Sequence, residues 1–210
     1  MNLGDRQSSM VLYSDPRDQY SHRVRMMLAE KGVIVDLVDV DAQDPPAGLS
    51  KHNPYNTVPT LTDRDLALYD ANIIMEYLDE RFPHPPLLPV YPVQRAYSRL
   101  WIHRIAKEWS SQLDPLIAGR GSEAFQQQAK SALRASLSDT APIFAQKPFF
   151  MNEEFTVVDC CVAPILWRLK AVGVVLRDRR TRPLRSYMQR MFERDSFRQS
   201  LSEAEQEMGE

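Results

Sequence analysis

Residues 82–92, FPHPPLLPVYP, hold five of the chain's fifteen prolines. Proline fixes φ and carries no backbone N–H, so neither a helix nor a central strand can run through this stretch. The segments on its two sides must therefore fold as separate units. The charge balance changes at the same place. Residues 1–81 contain 8 Lys+Arg and 14 Asp+Glu, a net of −6, whereas residues 82–210 contain 18 and 14, a net of +4. Leu87, Leu88, Val90 and Tyr91 give the stretch apolar groups with which to dock. It reads as an ordered linker (82–92) between an N-terminal domain (1–81) and a C-terminal domain (93–210).

Before the linker, strand and helix patterns alternate. Residues 10–13 are a short β-rich run, and 21–31 carry Val24, Met27, Leu28 and Lys31 at helical spacing. Asp18 is placed to cap that helix and Gly32 to stop it. Residues 34–40 then read as a strand, completing a β-α-β unit within about 30 residues, the signature of a parallel crossover. A short turn leads to Asn53-Pro54. Thr60 to Thr62 and Leu66 to Leu68 flank Asp63-Arg64-Asp65 as a hairpin. Asp70 caps a helix to Arg81 with Ile73, Ile74, Tyr77 and Leu78 as its apolar face.

Beyond the linker every pattern is helical. Residues 93–111 carry Leu100, Ile105 and Trp109, and 122–139 carry Phe125, Ala129, Leu133 and Leu137. Thr156 and Asp159 form a capping box with Phe155 and Cys160 at the staple positions. Helices over 183–192 and 196 to about 208 complete the set. The order βαβ-α-ββα followed by helices specifies an α/β domain joined to an all-α domain.

At 43% hydrophobic and 26% charged residues, the chain has the composition of a folded protein. Its net charge of −2 argues against a basic nucleic-acid binder. Apolar runs fall far short of the roughly 18–20 residues of a membrane span. The run MNLGDRQSSM lacks the apolar region of an export signal. Cys160 and Cys161 are adjacent, poor geometry for an intrachain bridge, and read as packed thiols. A cytoplasmic protein without membrane contact is expected. His22, His52, His84 and His103 lack metal-ligand spacing, and no glycine-rich phosphate loop occurs. Residues 177–185 hold five arginines in nine positions, a solvated loop or a contact for acidic protein or DNA phosphate.

Asn53-Pro54 before Val58-Pro59-Thr60-Leu61, then Asp70 opening a helix with Ile74 and Tyr77-Leu78, resembles the glutathione S-transferase superfamily. The Thr156-x-x-Asp159 box matches its C-terminal domain. The resemblance implies the glutathione S-transferase fold, with a thioredoxin-like N-terminal domain and an all-α C-terminal domain. It implies a cis Pro59, with the Val58 backbone placed to pair with the cysteinyl part of glutathione. The same turn can instead serve only to shape the hairpin entry. YSHRVRMMLAEKG, MEYLDERFPHPPLLPVYPV, VDCCVAPILWRL and FERDSF resemble, more narrowly, the stringent starvation branch of that superfamily, which is associated with bacterial RNA polymerase.

Two positions depart from the transferase pattern. Alignment of LYSDPRDQYSHRVR on the Ser- and Cys-type members puts Asp18 where the thiol-activating residue stands. A carboxylate cannot donate to a thiolate at neutral pH, and its charge raises the thiol's pKa. Asp70-Ala71 stands where an acidic residue followed by Ser holds the γ-glutamyl carboxylate. The missing hydroxyl costs on the order of 1.5–3 kcal/mol. Tyr13, Ser14, Tyr20 and Ser21 remain as nearby hydroxyls whose ordinary roles are strand packing and capping. The expectation is a non-enzyme with weak or absent glutathione binding, no other cofactor and no metal.

Pro83, His84, Pro85 and Pro86, with Tyr91, are the sharper candidates. Composition alone fits a rigid hinge whose rings pack between domains. The resemblance implies instead an exposed patch that contacts RNA polymerase holoenzyme through its sigma factor, with DNA met only through the polymerase. It also implies a homodimer, which the opposite domain charges suit. The alternative reading is a glutathione-dependent transferase or thiol-handling enzyme with an atypical site.

Overall fold

The computed structural model describes residues 10–209; residues 1–9 of the run read for an export signal lie outside the described residues. Strand β1 (Met10–Ser14) buries every second side chain. Helix α1 (Gln19–Lys31) starts where the Asp18 carboxylate accepts the Ser21 N–H at 2.7 Å. It stops at Gly32, whose φ of 62° suits a residue without Cβ. Strand β2 (Asp36–Asp39) pairs parallel with β1, β3 (Thr60–Asp63) pairs antiparallel on its other side, and β4 (Leu66–Tyr69) pairs with β3. The sheet order is β2-β1-β3-β4. β2 is shorter than 34–40 and exposed throughout, because it is an edge strand with one paired neighbour. The element before the hairpin is a single 3-10 turn, Leu49–Lys51.

Helix α2 (Ala71–Arg81) buries Ala71, Ile74, Met75 and Leu78. Ile73 is 53% exposed, so the apolar face is rotated away from the one its periodicity suggests. The packing partners α1, β3 and β4 select the face, and they lie on the 71/74/75/78 side. Residues 82–91 form neither helix nor strand. Leu87 and Leu88 are 2% and 4% exposed, whereas Val90 and Tyr91 are each 72% exposed. Half of the linker's apolar set docks, and half faces out.

Pro92 opens α3 (Pro92–Ile105) at the first helical turn, where a missing N–H breaks no bond, so the helix begins inside the 82–92 stretch. A π-helical segment, Ala106–Ser110, joins it to α4 (Ser111–Ile117). Ser98, Ile102, Ile105 and Trp109 face inward, while Leu100, expected inside, is 52% exposed. Leu100 precedes Ile105 by five residues, which is about 140° around an α-helix. It cannot share that face. α5 (Glu123–Thr140) buries Ala129, Leu133 and Leu137 but not Phe125 in its first turn.

α6 (Val157–Arg168) is the buried centre of the helical domain, opened by the Thr156/Asp159 capping box. α7 (Arg182–Phe192) comes next in the chain. The single helix expected over 196–208 is two, α8 (Asp195–Ser200) and α9 (Glu203–Gly209). A second Ser-x-x-Glu box causes the break: Glu205 Oε2 accepts the Ser202 N–H at 3.0 Å, and Ser202 Oγ accepts the Glu205 N–H at 3.1 Å. One apolar cluster continues from Leu12 and Met27 through Ile74 to Trp109, Cys161 and Phe197.

Candidate functional site: an interdomain cleft and an exposed linker arch

A cleft of about 800 Å³ opens between the start of α1, the 39–43 turn and α4. Asp18 and Val58 line it; Asp70 and Ala71 do not. Pro59 is buried, and the Val58–Pro59 bond is cis. The Asp18 carboxylate caps α1, and burial pushes its carboxyl up despite that backbone bond. Asp70 adopts φ 72°, a conformation costly for a residue with Cβ. Its Oδ1 accepts the Asn72 and Ile73 N–H groups at 2.8 and 3.4 Å. A carboxylate arriving at the N-terminus of α2 would find those donors taken and no hydroxyl on the buried Ala71.

The nearby hydroxyls are committed elsewhere. Tyr20 donates to Asp114 Oδ2 at 2.9 Å, and burial together with the Asp114 charge pushes its phenol up to about 12. Its proton is therefore not available to a thiolate. Ser21 Oγ accepts the Asp15 N–H at 3.1 Å, and the buried Ser14 Oγ accepts from Arg25 Nη1. Tyr13 stacks on His52 at 6.0 Å between ring centres. Asp15, Asp39 and Asp41 add to Asp18 and Asp114 around the cleft, and Arg17, Arg120 and Arg168 share the lining, so its charge is mixed. Burial pushes the Cys160 and Cys161 thiols up as well, so neither is a nucleophile. Among the described residues, no group of three His, Cys, Asp or Glu side chains is placed to hold a metal ion.

Beneath the cleft lies a buried polar cluster that the sequence pattern does not announce. Glu205 of α9 pairs with Arg25 of α1 at 2.6 Å and with Arg168 of α6, and Arg168 Nη1 donates to His22 Nδ1 at 3.1 Å. Arg168 also bonds the Arg17 carbonyl at 2.9 Å, so α1, α6 and α9 meet on one set of charges. The Ser202-x-x-Glu205 pattern is the one local signal. The Arg25–Glu205 pairing across 180 residues carries none.

The linker forms an arch. Pro83, His84, Pro85 and Pro86 are all exposed, and Tyr91 stands outward at the N-cap of α3. The His84–Pro85 bond is cis. The hinge-packing reading is thereby corrected: Leu87 and Leu88, not the rings, fill the space between domains. The foot of the arch is tied across the domain boundary, where the Val157 N–H donates to the Leu87 carbonyl at 2.9 Å. Lys31, which the sequence marks only by its helical spacing, and Asp79, which it does not single out, lie at its base. In the 177–185 run, Arg185 braces the Leu176 and Asp178 carbonyls and Arg180 pairs with Asp139 at 3.0 Å, while Arg177, Arg179 and Arg182 are exposed.

The models of the glutathione S-transferase N-terminal and C-terminal domains match residues 12–86 and 101–190. The stringent starvation protein A homolog of Coxiella burnetii is 48% identical over 205 residues, 98% of this chain and 97% of that protein. The homolog from Haemophilus influenzae is 51% identical over 203 residues, 97% and 95% of the two chains. The chain belongs to the stringent starvation protein A family. Its fold is that of the glutathione S-transferases: a rice enzyme solved with glutathione superposes with a TM-score of 0.83 over 96% of each chain at 21% identity. The family assignment covers both the cleft and the arch. Chemistry at the cleft still has to be judged on the groups that line it.

Proposed function

We propose that this protein is a non-catalytic regulator that binds bacterial RNA polymerase holoenzyme through its sigma factor and alters promoter activity under starvation or stress. The observation that carries this reading is the exposed arch Pro83-His84-Pro85-Pro86 on a linker whose next residues are buried. Three prolines in four residues lose little entropy on binding, and His84 and Tyr91 add ring surface and polar contacts. Near-full-length identity to proteins named stringent starvation protein A homologs supports the stress setting. The −6 balance of residues 1–81 suits a partner with basic DNA-binding surfaces, so that DNA is met only through the polymerase. No helix among the described residues is long and apolar enough to cross a membrane, and the proposed site of action is the cytoplasm. The test is binding to purified holoenzyme with and without sigma factor. Loss of binding without sigma is expected, and equal binding to the core enzyme would refute the contact.

The Asp18 carboxylate engaged in capping α1 and the missing hydroxyl at Ala71 support weak or absent glutathione binding, and no cofactor is proposed. One observation favours a second reading: the cis Val58–Pro59 turn persists beside an open cleft. Titration with glutathione decides it. Saturation at millimolar concentration or tighter, with turnover of an electrophilic substrate, would establish a transferase.

The reading includes a homodimer. Val93, Tyr97 and Leu100 are exposed at helical spacing on α3, and Ile73 is exposed on α2. Glu76, one turn after Ile73, accepts from Arg99 of α3 at 2.8 and 2.9 Å, an ion pair that links the two helices. Such a shared apolar surface fits a second copy, with the acidic domain of one subunit on the basic domain of the other.

A further inference from the structure

We infer that Lys31 and Asp79 are positioning residues that fix the Pro83–Pro86 arch for its partner, an inference that rests on the docking role proposed above. Pro83, Pro85 and Pro86 have no N–H, which leaves His84 as the only backbone donor within the arch. Its other backbone handles are carbonyls, and a carbonyl needs a donor from outside. Lys31, the last residue of α1, supplies it: Nζ donates to the Phe82 carbonyl at 2.6 Å and to the Pro85 carbonyl at 2.8 Å. The same ammonium pairs with Asp79 Oδ1 at 2.8 Å, using all three of its donors.

Asp79 completes the mount from α2. Its Oδ1 accepts the Leu87 N–H at 2.8 Å and its Oδ2 the Leu88 N–H at 3.1 Å. Both feet of the arch, Phe82 and Leu87-Leu88, are therefore joined through one ion pair, whose side chains are 0% and 8% exposed, in addition to the Phe82 N–H bond to Leu78 and the Val157 bond to the Leu87 carbonyl. His84 sits between the two carbonyls that Lys31 holds. Packing of α1 on α2 is thereby converted into a fixed direction for an exposed imidazole. A surface pair would do little of this, but a buried one is neither screened nor free to exchange partners with water. Arg in place of Lys31 would not reproduce it, since a planar fork does not converge three acceptors on one nitrogen.

Lys31→Met alone would strand a buried carboxylate, so the informative variant is Lys31→Met with Asp79→Asn, which removes the pair without leaving a charge. The readouts are holoenzyme affinity, amide hydrogen exchange at Leu87 and Leu88, and far-UV circular dichroism. With secondary structure unchanged, exchange at the two amides is expected to rise and holoenzyme affinity to fall about tenfold or more, through loss of preorganisation. If the folded double variant binds like wild type while Pro83→Ala/His84→Ala/Pro85→Ala does not, the positioning role is wrong and the docking role stands. Unchanged exchange at Leu87 and Leu88 would also overturn it. If wild-type protein fails to bind holoenzyme, the docking role and the positioning role fall together.

Discussion

His22 is neutral in the folded protein because burial and both of its hydrogen-bond partners favour that form. Ser200 Oγ gives its own proton to the Phe197 carbonyl at 2.7 Å, so it accepts the His22 Nε2–H at 3.0 Å. Nδ1 is left to accept from Arg168. Burial, then the charges of Arg168 and Arg25, hold the imidazole well below 6.5, even with Glu205 3.5 Å away. An unfolded chain takes up that proton near pH 6.5 and the folded one does not, so stability is lost as pH falls through that value. Between pH 7.5 and 5.5 the wild type should lose about 1.4 kcal/mol more than His22→Gln in urea unfolding. Asp18 and Asp159, whose carboxyls burial pushes up, act in the opposite sense, but both proteins contain them and the difference cancels. Equal pH slopes would contradict the neutral assignment. Tyr20→Phe is a second test: losing a bond to the Asp114 carboxylate should cost about 1.5 kcal/mol without changing transcription. The caps Asp18, Asp70 and Thr156 are legible in sequence because an N-cap is decided within four residues. The His22–Arg25–Arg168–Glu205 cluster is not, since a charged residue reads as surface until its distant partner is known.

Among the elements, α6 depends most on a single side chain. Asp159 is fully buried and accepts the Phe150 N–H at 2.9 Å, the Thr156 N–H at 2.9 Å and the Tyr187 O–H at 2.7 Å. It ties the start of α6 to α7 and to the turn before it. With the Thr156 hydroxyl, which also donates to it at 3.1 Å, Asp159→Ala strands four buried donors and is expected to cost on the order of 3–5 kcal/mol. Chemical denaturation checks this; a loss below about 1 kcal/mol would show that the donors find other partners. The box itself is legible in sequence, as are α1, α2 and the β3–β4 hairpin, because caps, stops and turn residues agree with periodicity there. Periodicity fails where it has to choose a face. Leu100 and Ile73 are apolar and at plausible helical positions, yet both point outward, because the packing neighbours set the rotation. The arch is legible as a non-helical stretch from its prolines, while its exposure depends on which two leucines dock.

At the scale of the whole molecule, α1 holds the two domains together. Arg25 reaches α9, Glu30 accepts from Arg194 just before α8, and Lys31 supports the linker. The proposed twofold pairing uses the face of α3 on which Tyr97 and Leu100 are exposed. Tyr97→Asp with Leu100→Asp should convert a dimer into a 24.2 kDa monomer in sedimentation. A wild type that already sediments as a monomer at micromolar concentration would refute the pairing. The central claim is tested most directly by the affinity of purified RNA polymerase holoenzyme for wild type and for Pro83→Ala/His84→Ala/Pro85→Ala. Circular dichroism and urea unfolding first establish that the variant is folded. The expected result is a drop in affinity of about a hundredfold or more; a folded triple variant that binds holoenzyme as tightly as wild type would contradict it.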